Sequence, residues 1–230
     1  MNEYKLLHID FSQDTIFDAS KHSRSFVENT MGTTTINGIK AGQTNSGSQH
    51  ILIDGVGDSQ LVSWDFSVVL VLELGAKLGS WDNFFLWQWR VGWSIKDNMF
   101  ILGSVMKRDG DATTSPDWRF EGNKVILIAK HNQSNMTFNI YRLSDGYMYS
   151  TNTRTVTPSM ISYIQNYTVG EHSTNTSGRE VIIGAGFYYE PESSWREGAN
   201  AKYGEVVFLN THLDDTQESN MVSQFVAKWN

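Results

Sequence analysis

The sequence contains no cysteine. Disulfides, thiolate metal sites and cysteine nucleophiles are therefore excluded together. Proline is nearly as scarce, with three in 230 residues, at positions 116, 158 and 191, and no proline- or serine-rich linker divides the chain. Positive charge is the minority sign: 18 Lys and Arg stand against 25 Asp and Glu, for a net charge of -7. No run of five like charges occurs, so the basic patch that a phosphate-binding surface needs is missing and a nucleic-acid partner is not expected. Long hydrophobic runs are absent too. The longest, such as "SVVLVLELG", fall far short of the roughly 20 apolar residues that span a bilayer. The opening "MNEYKLLHIDFSQD" lacks a basic segment followed by an apolar stretch, so no secretory leader is expected in it. These absences predict a soluble protein without a membrane partner.

Catalytic signatures are also missing. There is no G-x-S-x-G elbow, no H-x-x-x-H pair, no P-loop and no G-x-G-x-x-G. The six histidines, at 8, 22, 50, 131, 172 and 212, are scattered and are expected on the surface or in loops. Four N-x-[ST] sequons begin at Asn132, Asn135, Asn166 and Asn175 and are read as chance matches in an Asn/Thr-rich sequence.

What is present points to strands. Hydrophobic residues make up 40% and charged residues 19%, a composition that builds a core rather than a disordered chain. Segments such as "YKLLHIDF", "SQHILIDG", "FSVVLVLEL", "NKVILIAKH", "NMTFNIYRL", "YMYSTNT", "EVIIGAGFYY" and "YGEVVFLN" are short and rich in β-branched and aromatic residues. Clusters such as "SDG", "RDGD", "KDN" and "HNQSN" separate them. About ten such strands predict an all-β, two-sheet antiparallel sandwich. With no internal repeat, residues 1–230 read as a single domain.

Two helices are predicted. "TPSMISYIQNYT", residues 157–168, would be short. The second is better marked: in "LDDTQESNMVSQFVAKW", Asp214 caps the helix and Gln217 stands in the capping-box position. Met221, Val222, Phe225, Val226 and Trp229 form one apolar stripe. Leu213, just before the cap, occupies the staple position.

The segment "NFFLWQWRVGWSIKDNMF", residues 83–100, concentrates the tryptophans. As one strand over 84–95 it would place Phe85, Trp87, Trp89, Val91, Trp93 and Ile95 on one face. Phe84, Leu86, Gln88, Arg90, Gly92 and Ser94 would lie on the other. The apolar face suits an inter-sheet core about 10 Å thick, with Gln88 and Arg90 projecting into a groove.

Three stretches together resemble the concanavalin A-like lectin/glucanase superfamily in its laminin-G-like branch. They are "LLHIDFSQDTIFDASKHSRSF", "FFLWQWRVGWSIKDNMFILGSV" and "REVIIGAGFYY…YGEVVFLNTHLDDTQESNMVSQFVAKW". The last is the most specific, joining Glu205, Asn210 and Leu213 to a helix ending at Trp229. The resemblance covers residues 4–230 and implies a jelly roll of two antiparallel sheets with a concave face. Two loop segments depart from the family pattern: "DASK" where a "DSSG" turn is usual, and "ANAKYGEV" before the final strand.

The resemblance also frames the chemistry. Some members hydrolyse glycans with carboxylates paired on one strand, and glycosidic cleavage needs two carboxyl groups roughly 5–9 Å apart. The strand "VVLVLELGAKL" offers only Glu73, and Glu190 and Glu192 flank a proline in a turn-like segment. A catalytic pair is not found. Calcium is a candidate ligand, because "KRDGDATTSPDW" presents Asp109, Asp111 and Asp117 as hard oxygen donors, with Asp10 as a second candidate. Sugar binding needs an aromatic face beside polar groups; Trp118, Tyr188 and Trp195 in loop-like segments, with Gln88 and Arg90, are the candidates.

The sequence thus predicts a non-enzymatic jelly-roll module that binds a glycan or cell-surface polysaccharide. The resemblance to phage tail, fibre and decoration proteins implies a virion location, contacts with other capsid subunits and a homo-oligomer. A glycan-cleaving hydrolase or lyase of the same fold, and a purely structural assembly protein, are the alternatives.

Overall fold

The computed structural model describes residues 2–45, 49–53, 56, 65–76, 81–87, 91–96, 99–101, 112–113, 121–132, 134–155, 181–187 and 195–230. Counts and absences refer to these residues. The strands run β1 (Lys5–Asp10), β2 (Phe26–Asn29), β3 (Gly32–Ile36), β4 (Ile39–Thr44), β5 (Ile51–Ile53) and β6 (Phe66–Leu74). Next come β7 (Trp81–Trp87), β8 (Val91–Lys96), β9 (Met99–Ile101), β10 (Ala112–Thr113), β11 (Lys124–His131) and β12 (Asn135–Arg142). The chain closes with β13 (Met148–Thr155), β14 (Val181–Ile183), β15 (Ala185–Phe187), β16 (Trp195–Gly198), β17 (Ala201–Leu209) and one helix, α1 (Asp215–Trp229). An eight-stranded sheet has the order β13-β12-β11-β6-β17-β4-β3, with β1 also on β17. A seven-stranded sheet runs β10-β9-β8-β7-β14-β5-β2, and β15 pairs with β16. Every named pairing is antiparallel. The predicted all-β jelly-roll sandwich with a C-terminal helix is the fold observed.

The eight-stranded sheet is buried on both faces at its centre, and its sequence shows why. In β6 and β11, "FSVVLVLEL" and "KVILIAKH", apolar residues run almost without interruption. Val68, Leu70, Leu72, Val125 and Leu127 face the inter-sheet core. Their neighbours Val69, Val71, Ile126 and Ile128 face a second core beneath α1. A strand wet on one face would alternate with polar residues; continuous runs mark two dry faces. The hydrophobic effect acts on both surfaces, at about 25 cal/mol per Å² buried.

A bulge in β17 decides which face each of its side chains takes. Ala201 and Tyr203 point into the inter-sheet core, and so do Val206 and Phe208. The parity changes between them, where the register with β6 shifts across Gly204. An extra residue in one strand re-aims the side chains beyond it. Glu205, which strict alternation would put beside Tyr203 inside the sandwich, instead shares the outer face with Val207 and Leu209. Glycine at 204 leaves room for the Trp229 ring: a Cβ there would lie 3.0 Å from it, so the ring would have to give way. The same point divides the edge of β17, whose Ala201–Tyr203 pair with β4 and whose Glu205–Leu209 pair with β1.

Helix α1 starts as its sequence predicts. Asp214 accepts the Gln217 backbone N–H at 2.7 Å, and the Gln217 side chain accepts the Asp214 N–H at 3.1 Å. Such a cap contributes about 1 kcal/mol. Met221, Val222, Phe225 and Trp229 are buried as the stripe requires, while Val226 is half-buried. Leu213 is fully buried, but the staple position opposite it in the helix is Glu218, so Leu213 packs in the outer core instead. Its backbone N–H donates to Ser67 Oγ at 3.1 Å, which fastens the helix entry to β6.

The tryptophan-rich segment is not one strand. It forms the antiparallel pair β7 and β8, with Trp87 opposite Val91 and Phe85 opposite Trp93. A register shift between Asn83 and Phe85 leaves Phe84 and Phe85 both fully buried, so Phe84 does not take the polar face that alternation predicts. Trp89 lies outside the described residues, as do the side chains of Trp81, Trp87 and Trp93. The helix predicted at 157–168 lies outside them too. The hairpin β3–β4 is not marked by an apolar strand pattern, although its turn is Asn37-Gly38, with φ of 49° and 81°, the dipeptide that two-residue hairpins favour.

Candidate functional site

The outer face of the eight-stranded sheet changes character toward its β13 edge. In β12, "NMTFNIYR", Met136, Phe138 and Ile140 alternate into the inter-sheet core, so Asn135, Thr137 and Asn139 point outward. The register sets them opposite Thr155, Thr153 and Thr151 of β13, and the Thr137 and Thr153 hydroxyls lie 3.0 Å apart in a hydrogen bond. Helix α1 forms the facing wall with Asp215, Ser219, Ser223 and Ala227, spaced four apart on one side. Between strands and helix lies a groove of about 980 Å³. Its helical wall is about 18 Å long at ~1.5 Å per residue.

The floor of the groove is a buried charge cluster. Glu218, 2% exposed, accepts from Asn139 Nδ2 and the Tyr141 hydroxyl, each at 2.6 Å. Lys130 Nζ lies 2.5 Å from its other oxygen and 3.4 Å from Asp215. Burial first, and then the bond to Glu218, push the Tyr141 phenol well above its ordinary range, so it remains a donor. Burial, reinforced by Lys130, lowers the His212 imidazole. Two charges taken from water are offset here by mutual pairing and extra hydrogen bonds. Asn139 Oδ1 is the exception, buried in the groove wall without a hydrogen-bond partner.

The turn after β12 supplies an aromatic group beside the groove. Gly146 and Met148 line it, and Tyr147 between them is 60% exposed. The Arg142 guanidinium lies 5.3 Å from the Tyr147 ring centroid and 5.8 Å from that of Tyr149, and the two rings meet edge-on at 6.1 Å. Asp145 pairs with Arg142, which holds the Asp145 carboxyl down at about 2.

A second cluster sits on the opposite flank of the helix. Glu205, 5% exposed, accepts from Lys228 at 2.6 Å, Trp229 Nε1 at 3.0 Å and His8 Nε2 at 2.8 Å. Lys5 Nζ lies 3.0 Å from His8 Nδ1. Burial alone would raise the Glu205 carboxyl; the three donors outweigh it and leave it below its usual value. A cleft of about 510 Å³ adjoins this cluster, floored by Val207, Met221 and Phe225.

The described lining of the groove includes none of the candidate sugar-binding or metal residues singled out in the sequence. Gln88, Arg90, Trp118 and Tyr188, and the calcium candidates Asp109, Asp111 and Asp117, lie outside the described residues. Trp195 opens β16 opposite Phe187, and its side chain lies outside them. Asp10, the second calcium candidate, accepts instead from Lys228 at 2.7 Å, Gln13 at 2.9 Å and both Ser12 groups, the hydroxyl at 2.6 Å. Despite burial, these donors bring its carboxyl to about 2. Among the described residues no group of three or more His, Asp or Glu could hold a metal. The histidines are not all peripheral either: His50 is 1% and His131 0% exposed, the latter stacked on Phe66 at 4.8 Å. His172 lies outside the described residues. Glu73, the lone carboxylate of its strand, lies between Lys202 at 2.6 Å and Lys124 at 4.0 Å.

No protein-family model and no curated protein matches the sequence. The fold is similar to solved structures at low identity. The binding domain of botulinum neurotoxin DC, in complex with rat synaptotagmin II, matches at TM-score 0.63 and 12% identity, over 97% of this chain and 52% of that one. The same domain in complex with SialylT gives TM-score 0.63 and 12% identity, over 98% and 52%. This chain thus spans about half the length of those domains. Domain 4 of AbnA, an extracellular GH43 arabinanase from Geobacillus stearothermophilus, in complex with arabinotriose, matches at TM-score 0.59 and 14% identity, over 97% of this chain and 98% of that one. At these identities the likeness shows the shared fold.

Proposed function

We propose that the protein is a non-enzymatic carbohydrate-binding module. The observation that carries this reading is the groove between β12, β13 and α1, walled by threonine, asparagine and serine and flanked by an exposed tyrosine. Sugar recognition needs hydroxyl-matching polar groups and an aromatic face for the apolar side of the ring, and both meet there. The full-length likeness to an arabinanase domain solved with arabinotriose, and the toxin domain solved with SialylT, support it.

Among the described residues, the carboxylates of the groove floor and of β6 favour binding over cleavage. Glu218 is engaged by Lys130, Asn139 and Tyr141, and Glu73 by two lysines. Glycosidic cleavage needs two carboxyl groups facing one bond, and these two are instead held in ion pairs in separate clusters. An assembly role would call for a large apolar patch. The exposed large apolar residues described, Tyr4, Phe17, Val27, Tyr147 and Met148, are spread over separate elements. The virion setting, with its capsid partners and self-association, rests on the sequence resemblance alone.

A glycan array tests the reading, run with and without calcium and with Tyr147→Ala alongside. Selective binding that weakens in the variant is expected. Silence across the array sinks it.

A further inference from the structure

We infer that the groove takes a neutral, extended oligosaccharide lying along α1, and not an acidic glycan; this rests on the carbohydrate-binding reading. The first argument is charge. Every cation described in the groove is already matched: Lys130 by Glu218 and Asp215, and Arg142 beside it by Asp145. Asp215 stands fully exposed at the rim. A uronate or sialate carboxylate entering here would find no free ammonium among the described residues and would meet Asp215 instead. Desolvating such an anion without a partner is costly.

The second argument is the hydrogen-bonding inventory. Thr137, Thr151, Thr153, Ser219 and Ser223 each carry a hydroxyl that can donate and accept. Ser223 gives its proton to the Ser219 carbonyl and Thr137 and Thr153 share one bond, and all three keep lone pairs for a sugar hydroxyl. Asn139 Oδ1, buried in the wall without a partner, is an acceptor waiting for a donor. A sugar hydroxyl supplies that donor, and an ionised carboxylate placed there does not. Reaching it requires a small shift of the wall.

The third argument is shape. The lining runs from Asp215 to Ala227 along the helix, about 18 Å at ~1.5 Å per residue. That length suits several linked rings rather than one terminal sugar. The outward polar side chains of β12 and β13, amides and hydroxyls together, recur at every second residue, a repeat of about 7 Å, so they meet successive parts of a chain.

The test is calorimetric titration of the full chain with neutral oligosaccharides (arabinotriose, xylopentaose, cellopentaose) and acidic ones (sialyllactose, oligogalacturonate), at low and high salt. The partner arm is Thr137→Val/Thr153→Val, which removes two exposed hydroxyls and keeps the β-branched shape that strands favour. An unchanged melting temperature verifies its fold. Neutral chains are expected to bind independently of salt and to lose affinity roughly tenfold or more in the double variant. Tighter binding of the acidic sugars, weakening with salt, overturns the inference and leaves the carbohydrate-binding reading standing. So does neutral binding that the double variant does not touch. No binding of either class overturns both.

Discussion

Glu218 reaches from the helix to the sheet, and Glu205 reaches from the sheet to the helix. Both are buried, and both meet a lysine and an aromatic donor: Lys130 and Tyr141 for one, Lys228 and Trp229 for the other. Together they fasten α1 near each end. They differ in how their lysines are placed. The Lys130 side chain is 5% exposed, whereas that of Lys228 is 35% exposed and keeps a second carboxylate, Asp10, at 2.7 Å. They differ also in their surroundings, since one underlies a polar groove and the other adjoins an apolar-floored cleft. The same device serves as the floor of a groove on one flank and as a fastening on the other.

The largest effect should come from cutting the Glu205 fastening at its apolar member. Trp229 is fully buried, and Trp229→Ala is predicted to cost about 3–5 kcal/mol, read as a lower denaturant midpoint. A midpoint close to wild type would mean the helix is held elsewhere.

Next come the two glutamates. Each substitution to alanine leaves a lysine without its closest carboxylate, at a cost of about 3–5 kcal/mol for a buried pair. Glu218→Ala is predicted to lie at the upper end, because Lys130 retains only exposed Asp215, and Glu205→Ala at or below the lower end. Replacing Lys130 and Glu218 together by methionine should recover only part of the loss, because Asn139 Nδ2 and the Tyr141 hydroxyl still lose their acceptor. Equal costs for the two single variants would erase the distinction drawn between the flanks.

Acid gives the smallest and most selective effect. Asp10 has its folded carboxyl at about 2 against an ordinary 3.8, and Glu205 is also lowered. Their contribution is complete above the unfolded values and is lost as pH falls toward the folded ones. Stability measured by urea titration should therefore hold to about pH 5 and decline toward about pH 2. Asp10→Asn should flatten part of that decline; an unaltered acid limb would dissociate Asp10 from it.

The sheets and the helix were legible in the sequence because their signals are local. Continuous apolar runs in β6 and β11, alternation in β12 and the Asp214–Gln217 box each arise from residues close along the chain. The groove was not. Its walls come from residues 135–155 and 215–227, and nothing in either segment announces the other. The alternation of Asn135, Thr137 and Asn139 marked a polar face, but a polar strand face usually meets water. One of the contacts that hold α1 over the sheet, through Glu205, faces outward because of a bulge at Gly204. That one-residue shift could not be read from alternation, since alternation assumes its absence.

The pairing of β1 with β17 has a consequence in time. Leu7 and Ile9 are fully buried, yet the only strand paired with theirs among the described residues is β17, close to the far end of the sequence. At synthesis rates of about 5–20 residues per second, roughly 200 intervening residues take about 10–40 seconds to emerge. Through that interval an apolar strand has no partner of its own. Completion of the sandwich is then set by the pace of synthesis rather than by the speed of strand pairing.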